Sequence, residues 1–509
     1  MEFKGPSFLF FFSLFLPLMI LLILIKKKNK KRLPPGPTKL PIIGNLHNLF
    51  FAGDDHLPRV FGELAKKYGT FMHLKFGQIS QVVVSSSDIA KEFLKTHDIN
   101  FASRQDMFTS RLIFYNNHDI LFAPYGEYWR QMRKIVTLEV LSAKKVKSFN
   151  RLRRDEVGKM IDILTKAASN STSVNLSEMF LILNNNISTR SIFGDKLRHQ
   201  KEFLDATKEV AALATSFSFS NFFPLLENFI AWLTGMRLRV EKTHNIMDNI
   251  LNTIIEERIG IINNNNSMEE DEEDFLDILL KLRKKNQFGF EFSMIGLKGL
   301  LLDLFVGGTE TTSTTLEWVM SELVKNSTTL KKVTSEVRQK FSITDSKTND
   351  YDNNFSKEMG YMQNVIKENF RLHPPGPLLI PHECREKCQI KGYDIEEKTS
   401  VIVNAWAIGR DPNKWKDPEM FKPERFIENS IDFKGSHFDL IPFGSGRRVC
   451  PGIAFGLANV ELSLATLLYH FDWKIPNNLP GKDLDMAEGF RGTLGRKKPL
   501  ILVPVFPTA

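Results

Sequence analysis

The clearest candidate for chemistry in the sequence is Cys450, which lies in a segment rich in glycine and arginine. The segment reads Phe443-Gly444-Ser445-Gly446-Arg447-Arg448-Val449-Cys450-Pro451-Gly452. A thiolate that binds iron needs a sharply turning backbone that directs N–H groups at the sulfur, and Gly444, Gly446 and Gly452 allow the positive φ angles and close approach this requires. Arg448 is placed to pair with a porphyrin carboxylate, and Phe443 is placed to shield the sulfur. A helix that starts near Gly452 would point its positive end at the thiolate. The alternative is an inert, buried thiol in a glycine-rich loop.

This segment resembles the haem-binding signature of the cytochrome P450 superfamily. It matches the pattern Phe-x-x-Gly-x-Arg-x-Cys-x-Gly at every specified position. The resemblance implies a mainly α fold with small β-sheets, and haem b (iron protoporphyrin IX) with Cys450 as the axial ligand of the iron. It also implies a monooxygenase that uses O2 as co-substrate and receives electrons from NADPH through a separate reductase.

A second candidate site lies in a long apolar segment that contains Gly307-Gly308-Thr309-Glu310-Thr311-Thr312. Adjacent glycines cost about 1 kcal/mol each relative to alanine inside a helix, so we expect a bulge there, at which oxygen and water reach the backbone. Cleavage of the O–O bond needs protons; Thr311 is suited to hydrogen-bond the oxygen and Glu310 to relay protons from solvent. The segment matches the family pattern Gly-x-(Asp/Glu)-Thr, although Val306 replaces the commoner Ala or Gly. The alternative is a kinked core helix with a solvated glutamate.

A further motif, Glu368-Asn369-Phe370-Arg371, places an acid and a base three residues apart on one helix face. Such pairs are common and carry little information alone. The resemblance implies that Glu368 and Arg371 bond a third residue, Arg425, which lies in Phe421-Lys422-Pro423-Glu424-Arg425-Phe426. This trio would be a buried structural clamp that takes no part in the chemistry.

Two more segments supply residues that would hold the haem propionates. Trp129 and Arg133 lie one helical turn apart, and the resemblance implies that both bond propionates from the side opposite Arg448. The alternative is an ordinary amphipathic helix. His382, in Pro381-His382-Glu383, occupies a position near a propionate where plant members usually carry Arg, and its charge would depend on pH.

Composition argues against several other classes of protein. The 509 residues include three cysteines, Cys384, Cys388 and Cys450, and this odd, sparse set indicates a reducing compartment rather than a disulfide framework. Cys384 and Cys388 lack the further cysteine or histidine ligands that a metal site needs. The net charge is +9, but the sequence shows no zinc-finger spacing or RNA-binding signature, so we expect no nucleic-acid partner.

The N-terminal residues predict a membrane anchor. Gly5 to Ile25 contains no charged residue and is long enough to span a hydrocarbon core of about 30 Å. A basic run from Lys26 to Arg32 follows, which indicates a cytosolic orientation. A cleaved signal peptide is the alternative, but it fits poorly with the length of the apolar run and the basic residues after it. We therefore expect an anchor over residues 1–25, a polybasic and proline-rich hinge over 26–40, and a single catalytic domain over 41–509, on the cytosolic side of the endoplasmic reticulum membrane in a single-pass protein.

Hydrophobic periodicity predicts a mostly helical chain that would position these groups. Helices are expected over 88–96, 128–142, 146–164, 292–326 and 359–372. Strands are expected over 71–76, 81–84, 388–390, 401–403 and 500–505. The polar, acidic stretch 263–274 is expected to be a surface loop.

The family resemblance also implies a pocket wall made of apolar residues, which suits a hydrophobic substrate positioned by shape. Segments such as Arg371-Leu372-His373-Pro374-Pro375 resemble plant microsomal members of specialised metabolism. We expect hydroxylation or epoxidation of a sesquiterpenoid or diterpenoid, with a terpenoid indole alkaloid or a phenolic as the alternative. The expected wall consists of Ile113, Phe114, Leu121, Phe122, Leu302, Phe305, Val306, Leu378, Leu379 and Phe490.

Electrons would come from a partner, because the sequence contains no flavin or nicotinamide motif. We expect NADPH–cytochrome P450 reductase in this role, with cytochrome b5 as a second candidate donor. Arg447, Lys144, Lys145 and Lys147 would offer a basic surface to an acidic partner, or are simply a solvated face. The rival hypotheses are a haem–thiolate isomerase or dehydratase that needs no O2, against which Thr311 and Glu310 argue, and a non-catalytic haem carrier.

Overall fold

Helices dominate the part of the chain that the structure, a computed structural model, describes. The described residues are 32–50, 56–194, 200–214, 218–264, 273–285, 292–344, 359–490 and 492–507. The expected membrane anchor over 1–25, the basic residues 26–31 and most of the expected acidic loop, residues 265–272, lie outside them.

One long helix, Met294–Lys325, runs through the core, and we call it the central helix. The Ser293 hydroxyl accepts a hydrogen bond from the Gly296 N–H (3.1 Å) at its start, which satisfies one of the free donors of the first turn. Its sequence is apolar on most sides, as expected of a helix enclosed by others. The helices Leu176–Phe193, Gly360–Leu372 and Ile453–His470 pack against it. The last of these begins three residues after Cys450, and we call it the cysteine helix.

The remaining helices surround this centre. The α-helices are Leu46–Phe50, Leu57–Tyr68, Ser87–Lys91, Phe108–Ile113, Glu127–Ile135, Ala143–Ser148, Asn150–Ser169, Gln200–Ala214, Phe219–Phe222, Glu227–Leu233, Met236–Asn264, Phe275–Lys285, Ser327–Thr344 and Ala405–Ile408. Single π-helical turns occupy Glu92–Thr96 and Val136–Val140. Short 3-10 helices occupy Asp98–Phe101, Pro224–Leu226, Pro423–Phe426, Gly446–Arg448, Pro476–Asn478 and Gly481–Asp483.

Four small sheets complete the described fold. The strands are β1 (Phe71–Phe76), β2 (Ile79–Val84), β3 (Ser103–Arg104), β4 (Val174–Asn175), β5 (His382–Glu383), β6 (Cys388–Ile390), β7 (Tyr393–Ile395), β8 (Ser400–Val403), β9 (Asp472–Lys474), β10 (Glu488–Phe490), β11 (Leu494–Arg496) and β12 (Ile501–Val505). The largest sheet has the order β1-β2-β8-β5-β3, and the others are β4-β12-β9, β6-β7 and β10-β11. Strand β3 pairs with β5 in antiparallel register, so that Arg104 lies opposite His382.

The observed elements match most of the expected ones, with three informative differences. The helix expected over 88–96 and the one expected over 128–142 each end in a π-helical turn. The helix expected over 146–164 is interrupted at Phe149, whose backbone is non-helical and whose buried ring packs edge-on against Phe275. The bulge expected at Gly307-Gly308 is absent, because residues 294–325 form one uninterrupted α-helix.

The proline-rich segment after residue 31 lies along the folded body. His73 N–H donates to the Pro35 carbonyl (2.8 Å), and Arg32 N–H donates to the Asp394 carboxylate (3.0 Å). A Cβ at Gly36 would lie 2.1 Å from the His73 carbonyl oxygen. The described part of the expected hinge therefore packs on β1 and on the Asp394 side chain.

Among the described residues, the cysteine helix alone is long and apolar enough to cross a membrane. Its position against the central helix explains its apolar composition without a membrane, because a core helix passes the same test.

Candidate active site

The loop before the cysteine helix wraps closely around Cys450. The Cys450 N–H donates to the Phe443 carbonyl (3.0 Å), which closes the loop. Gly444 and Gly446 have φ angles of +71° and +70°, a region that favours glycine. A Cβ at Gly446 would also lie 2.3 Å from the Leu94 carbonyl oxygen, so the loop packs too closely there for any side chain.

Gly452 meets one of the two expectations, the close approach of the backbone, and not the positive φ angle. Its φ angle is −89°, so it does not need the left-handed region. Its N–H instead hydrogen-bonds the Cys450 sulfur, and an added Cβ would lie 3.8 Å from that atom. The position therefore serves the close approach of the backbone to the thiol.

Burial raises the pKa of the Cys450 thiol, against which the Gly452 N–H and the charge of Arg133 act. A thiol in such surroundings stays protonated at neutral pH unless a metal stabilises the thiolate. The Phe443 ring packs edge-on against Phe370 and Phe433, with centroid distances of 4.9 and 5.6 Å. This aromatic cluster adds an apolar wall to the loop.

Buried cations gather close to Cys450. Arg448 donates to the carbonyls of Ala102 (2.6 Å) and Ile120 (3.1 Å), and its guanidinium lies 4.2 Å from the Trp129 ring centroid. The Trp129 indole N–H donates to the same Ile120 carbonyl (3.0 Å). Arg133 donates to the Val449 carbonyl, next to the cysteine. The structure thus brings together Arg448, Trp129 and Arg133, which come from two segments more than 300 residues apart.

His382 and Arg104 extend this cluster. His382 Nδ1 lies 2.7 Å from the Phe101 carbonyl oxygen, and burial and the charge of Arg104 hold its pKa well below its usual value. Arg104 donates to the carbonyls of Leu121 (3.0 Å) and Ile380 (2.6 Å). Sequence reasoning missed Arg104, because its place opposite His382 depends on the pairing of β3 with β5. The available signal was an arginine two residues after the apolar pair Phe101-Ala102.

The charges in this cluster are not balanced by the described acidic side chains. Burial lowers the pKa of Arg104 to about 9 and that of Arg448 to about 8. The charge of Arg133 lowers the pKa of both, and the charge of Arg104 lowers that of Arg448. Within the described residues, Asp119 is the carboxylate that acts on both, and burial raises its own pKa to about 7. Buried cations without a matching anion are costly unless a ligand supplies the opposite charge. One thiol beside a cluster of cations fits an iron porphyrin, which offers a metal and two carboxylates.

The central helix supplies a different kind of chemistry. Gly307 is exposed although its neighbours on the helix are mostly buried, and an added Cβ would meet nothing within 4 Å. Gly308 faces the helix Leu176–Phe193, where an added Cβ would lie 3.0 Å from Ser188 Oγ. The two glycines thus have separate explanations, open space at Gly307 and close helix packing at Gly308, and neither requires a bulge.

Glu310 and Thr311 follow these glycines. Burial raises the pKa of Glu310 to about 7, and hydrogen bonding from Thr493 and the charge of Lys208 oppose the rise. The Thr311 hydroxyl donates to the Gly307 carbonyl (2.7 Å), which leaves its oxygen lone pairs available to accept. Glu310 is therefore an acid that can exchange its proton near neutral pH. It lies next to the Thr311 alcohol and close to the open space at Gly307.

Only some of the residues expected to line the pocket lie in one cluster. Ile113, Phe114, Phe122, Leu302 and Phe305 belong to one buried core, and Leu121 and Val306 pack against it. Leu378 and Leu379 belong to two other clusters, although Leu379 lies 3.9 Å from the Cβ position of Gly444 in the cysteine loop. Phe114 and Phe305 have no exposed surface and can only support the wall from behind. Leu121, Val306, Leu379 and Phe490 keep accessible area, so they are the better candidates for ligand contact.

The three expected clamp residues meet directly. Glu368 accepts two hydrogen bonds from Arg371 (2.8 Å each) and one from Arg425 (2.9 Å). The same carboxylate accepts the Lys422 N–H (2.7 Å). Arg371 also donates to the Gly409 carbonyl (2.6 Å), so the trio joins the helix Gly360–Leu372 to the segments that lead to the cysteine loop.

Comparison with known proteins agrees with this arrangement. The family model described as Cytochrome P450 matches residues 34–503. Premnaspirodiene oxygenase of Hyoscyamus muticus is 46% identical over 498 residues, which cover 96% of this chain and 97% of that protein. Desmethyl-deoxy-podophyllotoxin synthase of Sinopodophyllum hexandrum is 45% identical (96% and 94% covered), and 5-epiaristolochene 1,3-dihydroxylase of Nicotiana tabacum is 44% identical (96% and 97% covered).

A solved structure shares the fold. A zebrafish cytochrome P450 with progesterone aligns with a TM-score of 0.74 and 23% identity, over 89% of this chain and 100% of that one. The family match, the plant relatives and the shared fold lead to one conclusion. The chain belongs to the cytochrome P450 family and is an oxidoreductase of the monooxygenase type.

Proposed function

We propose that this protein is a membrane-anchored monooxygenase that uses NADPH and O2 to hydroxylate or epoxidise a hydrophobic terpenoid. The observation that carries the proposal is the acid–alcohol pair Glu310 and Thr311 beside the exposed Gly307, on a helix that is otherwise mostly buried. An isomerase or dehydratase would not need protons at an oxygen site, whereas a monooxygenase does.

Family membership implies haem iron, and the cluster around Cys450 suits it. Haem iron, when bound, supplies the site at which dioxygen is activated. Cys450 would hold the iron, and the Gly452 N–H would withdraw charge from the sulfur and so tune the metal. Arg448, Arg133 and His382 would face the propionates, together with Trp129 and Arg104, because these buried or half-buried groups lie together beside the cysteine loop. The charge imbalance among them supports this assignment.

Glu310 and Thr311 would deliver protons. A carboxyl with a pKa near 7 can give up and regain a proton at neutral pH with little free-energy cost. Thr311 would accept a hydrogen bond from the reacting oxygen or rotate its own proton toward it, which needs only the release of the Gly307 carbonyl. Gly307 would leave room for oxygen and water beside the helix.

A terpenoid substrate is supported by the apolar wall and by the relatives. Leu121, Val306, Leu379 and Phe490 offer accessible apolar surface without a charged group among them, so shape would orient the substrate. Several relatives are terpenoid-oxidising plant enzymes, including premnaspirodiene oxygenase and 5-epiaristolochene dihydroxylase. The similarity to desmethyl-deoxy-podophyllotoxin synthase keeps a phenolic among the compounds to be tested, along with an indole alkaloid.

Membership of the family also implies an electron-donating reductase. The basic helix Ala143–Ser148 packs against the cysteine helix, and its Lys144 and Lys147 are exposed. Arg447 lies in the cysteine loop, where its side chain is about half exposed and pairs with Asp98 (3.5 Å). This basic surface, close to the iron ligand, would receive the acidic domain of NADPH–cytochrome P450 reductase or, alternatively, cytochrome b5.

An exposed apolar surface supports attachment to the endoplasmic reticulum membrane. Leu225, Trp232 and Leu238 are 85%, 69% and 73% exposed, and Ile42 near the N-terminal end of the described chain is 77% exposed. The β1–β2 turn joins these regions, since Gly77 N–H donates to the Ile43 carbonyl and Gln78 N–H to the Phe222 carbonyl. The β1–β2 turn thus connects Ile42 with the exposed apolar residues that follow Phe222, and a lipid surface is the natural partner of such a patch. Deletion of residues 1–31 should leave a haem-loaded protein that no longer integrates into membranes, and loss of haem in that variant would contradict this boundary.

The test uses the full chain in microsomes together with the plant reductase. A panel of sesquiterpene and diterpene hydrocarbons, indole alkaloids and phenolic lignans is screened for substrate-induced spin-state changes and for product masses. We expect a terpenoid to gain one oxygen atom, only when NADPH and the reductase are present. Conversion that continues without NADPH would favour the isomerase hypothesis, and oxidation confined to alkaloids or phenolics would overturn the terpenoid assignment.

A further inference from the structure

The side chain of Glu310 has one hydrogen-bond partner that comes from a distant part of the sequence. Thr493 Oγ1 lies 3.1 Å from Glu310 Oε1 and 3.1 Å from Thr314 Oγ1. Thr493 stands in the turn between β10 and β11, of which residue 491 lies outside the described residues. Both Thr493 and Thr314 are buried. The hydroxyl is therefore held between two groups that lie one turn apart on the central helix.

We propose that Thr493 is a positioning residue that holds Glu310 in place for proton delivery and couples it to the substrate-facing hairpin β10–β11. The proposal rests on the function proposed above for Glu310. It adds a residue that acts through the acid and that makes no contact with the reacting atoms.

The hydroxyl chain can serve both protonation states of the acid. When Glu310 is ionised, the Thr493 hydroxyl donates to it and accepts from the Thr314 hydroxyl. When Glu310 carries a proton, it donates to Thr493, and the Thr493 proton turns toward Thr314. Each change moves one proton onto or off Glu310 and only rotates the two hydroxyls, so no other bond forms or breaks. A valine in place of Thr493 would keep the shape and lose this adaptability.

The hairpin that carries Thr493 is fixed to one stripe of the central helix. Trp318 N–H donates to the Leu494 carbonyl (2.8 Å), one turn beyond Thr314. The contacts to Glu310, Thr314 and Trp318 are thus spaced four residues apart, which places them on the same helix face. Phe490, at the other side of the turn, keeps accessible surface and is an expected substrate contact. Phe490 pairs with Leu494, the residue after Thr493, so a substrate that contacts Phe490 would touch the same hairpin that holds the acid.

The charged and polar groups that act on Glu310 are few among the described residues. Lys208, in the helix Gln200–Ala214, lowers the pKa of Glu310 through its charge, and Thr493 lowers it through the hydrogen bond, while burial raises it. Loss of the Thr493 hydroxyl removes one of the two influences that lower the pKa of Glu310 against the effect of burial. The titration of Glu310 should then move to higher pH.

The test is a pH titration of the full-length haem-loaded protein by difference infrared spectroscopy, which detects the C=O stretch of a protonated buried carboxyl. The Glu310→Gln variant identifies the band. We expect Thr493→Val to move the midpoint upward by about 0.5–1 pH unit, the usual range for one lost hydrogen bond. Thr493→Ser, which keeps the hydroxyl, should restore the wild-type midpoint, and Thr314→Val, which leaves the Glu310 contact intact, should shift it less than Thr493→Val does.

An unchanged midpoint in Thr493→Val, or a Thr493→Ser variant that behaves like the valine, would overturn the proposal. Thr493→Ala serves as a second variant if the valine lowers haem loading. The infrared titration needs neither substrate nor electrons, so its outcome stands apart from that of the function proposed above. With the reductase and a substrate found by the panel, Thr493→Val should also release more peroxide per NADPH, and the serine should not.

Discussion

Replacing Glu368 by Gln should destabilise the fold strongly, because this carboxylate is completely buried and accepts four hydrogen bonds. Its partners are Arg371 (two bonds), Arg425 and the Lys422 N–H. A glutamine has nearly the same shape, but its NH2 group would face arginine N–H groups, and two buried guanidinium charges would lose their counter-ion. Breaking a buried pair in this way costs about 3–5 kcal/mol, which is a large part of the roughly 5–15 kcal/mol that stabilises a folded protein.

The expected loss of folding free energy can be converted into a shift of the melting temperature. The unfolding entropy of a 509-residue chain near its midpoint is about 1 kcal/mol/K, so the loss corresponds to roughly 3–5 °C. Thermal unfolding of the haem-loaded protein in detergent, followed by the Soret band and by circular dichroism, measures it. Glu424→Gln is the matched control, since Glu424 makes a partly exposed pair with Lys332 (2.9 Å) whose loss should cost less than about 1 kcal/mol. The amide oxygen of the glutamine can still accept the hydrogen bond that the Tyr361 hydroxyl donates to Glu424 (2.7 Å). If both variants melted within 1 °C of each other, the clamp would contribute no more to stability than an ordinary surface pair.

Other predictions concern the site itself. Cys450→Ala should lose the thiolate-type Soret shift of the reduced carbon monoxide adduct, and an unchanged spectrum would contradict the ligand assignment. Thr311→Val should consume NADPH with less product and more peroxide; equal coupling in the two proteins would argue against the relay. Burial raises the pKa of Glu310 to about 7, so the acid holds its proton below that pH, and coupled turnover should fall as pH rises through 7. Glu310→Gln should remove this alkaline limb, which a pH–rate profile would reveal. Gly446→Ala should lower haem loading, because the new Cβ would collide with the Leu94 carbonyl, and normal loading would show that the loop can adjust.

Local spacing made part of the site predictable from the sequence. Gly444 and Gly446 adopt the positive φ angles expected of the cysteine loop, and Glu368 and Arg371 share a helix face because they are three residues apart. The strands over 71–76 and 388–390 agree with the expected bounds for the same reason, since alternation and turn residues are local signals. Such features need only short-range geometry.

Contacts between distant segments were not predictable in the same way. Arg104 joins His382 through strand pairing across 278 residues, and Thr493 joins Glu310 across 183 residues. Neither residue type is unusual in its local sequence. The bulge expected at Gly307-Gly308 is the opposite case. The low helix propensity of glycine is a local property, whereas packing against Ser188 and the open space at Gly307 account for these glycines in a regular helix. The central helix stays regular, and the Thr311, Ser313 and Thr315 hydroxyls bond carbonyls one turn back within it.

The cluster of positive side chains formed by Arg104, Arg133 and Arg448 has a consequence for how much of the protein accumulates in the cell. Burying these charges without a bound anionic ligand costs free energy of folding. Haem, whose carboxylates supply the negative charge, would therefore stabilise the native state by its binding free energy. Newly synthesised chains would reach the stable, haem-loaded state when porphyrin is plentiful. Chains synthesised during a shortage would unfold more often and be degraded by proteases. The abundance of this enzyme should thus follow iron and porphyrin supply even at constant messenger RNA.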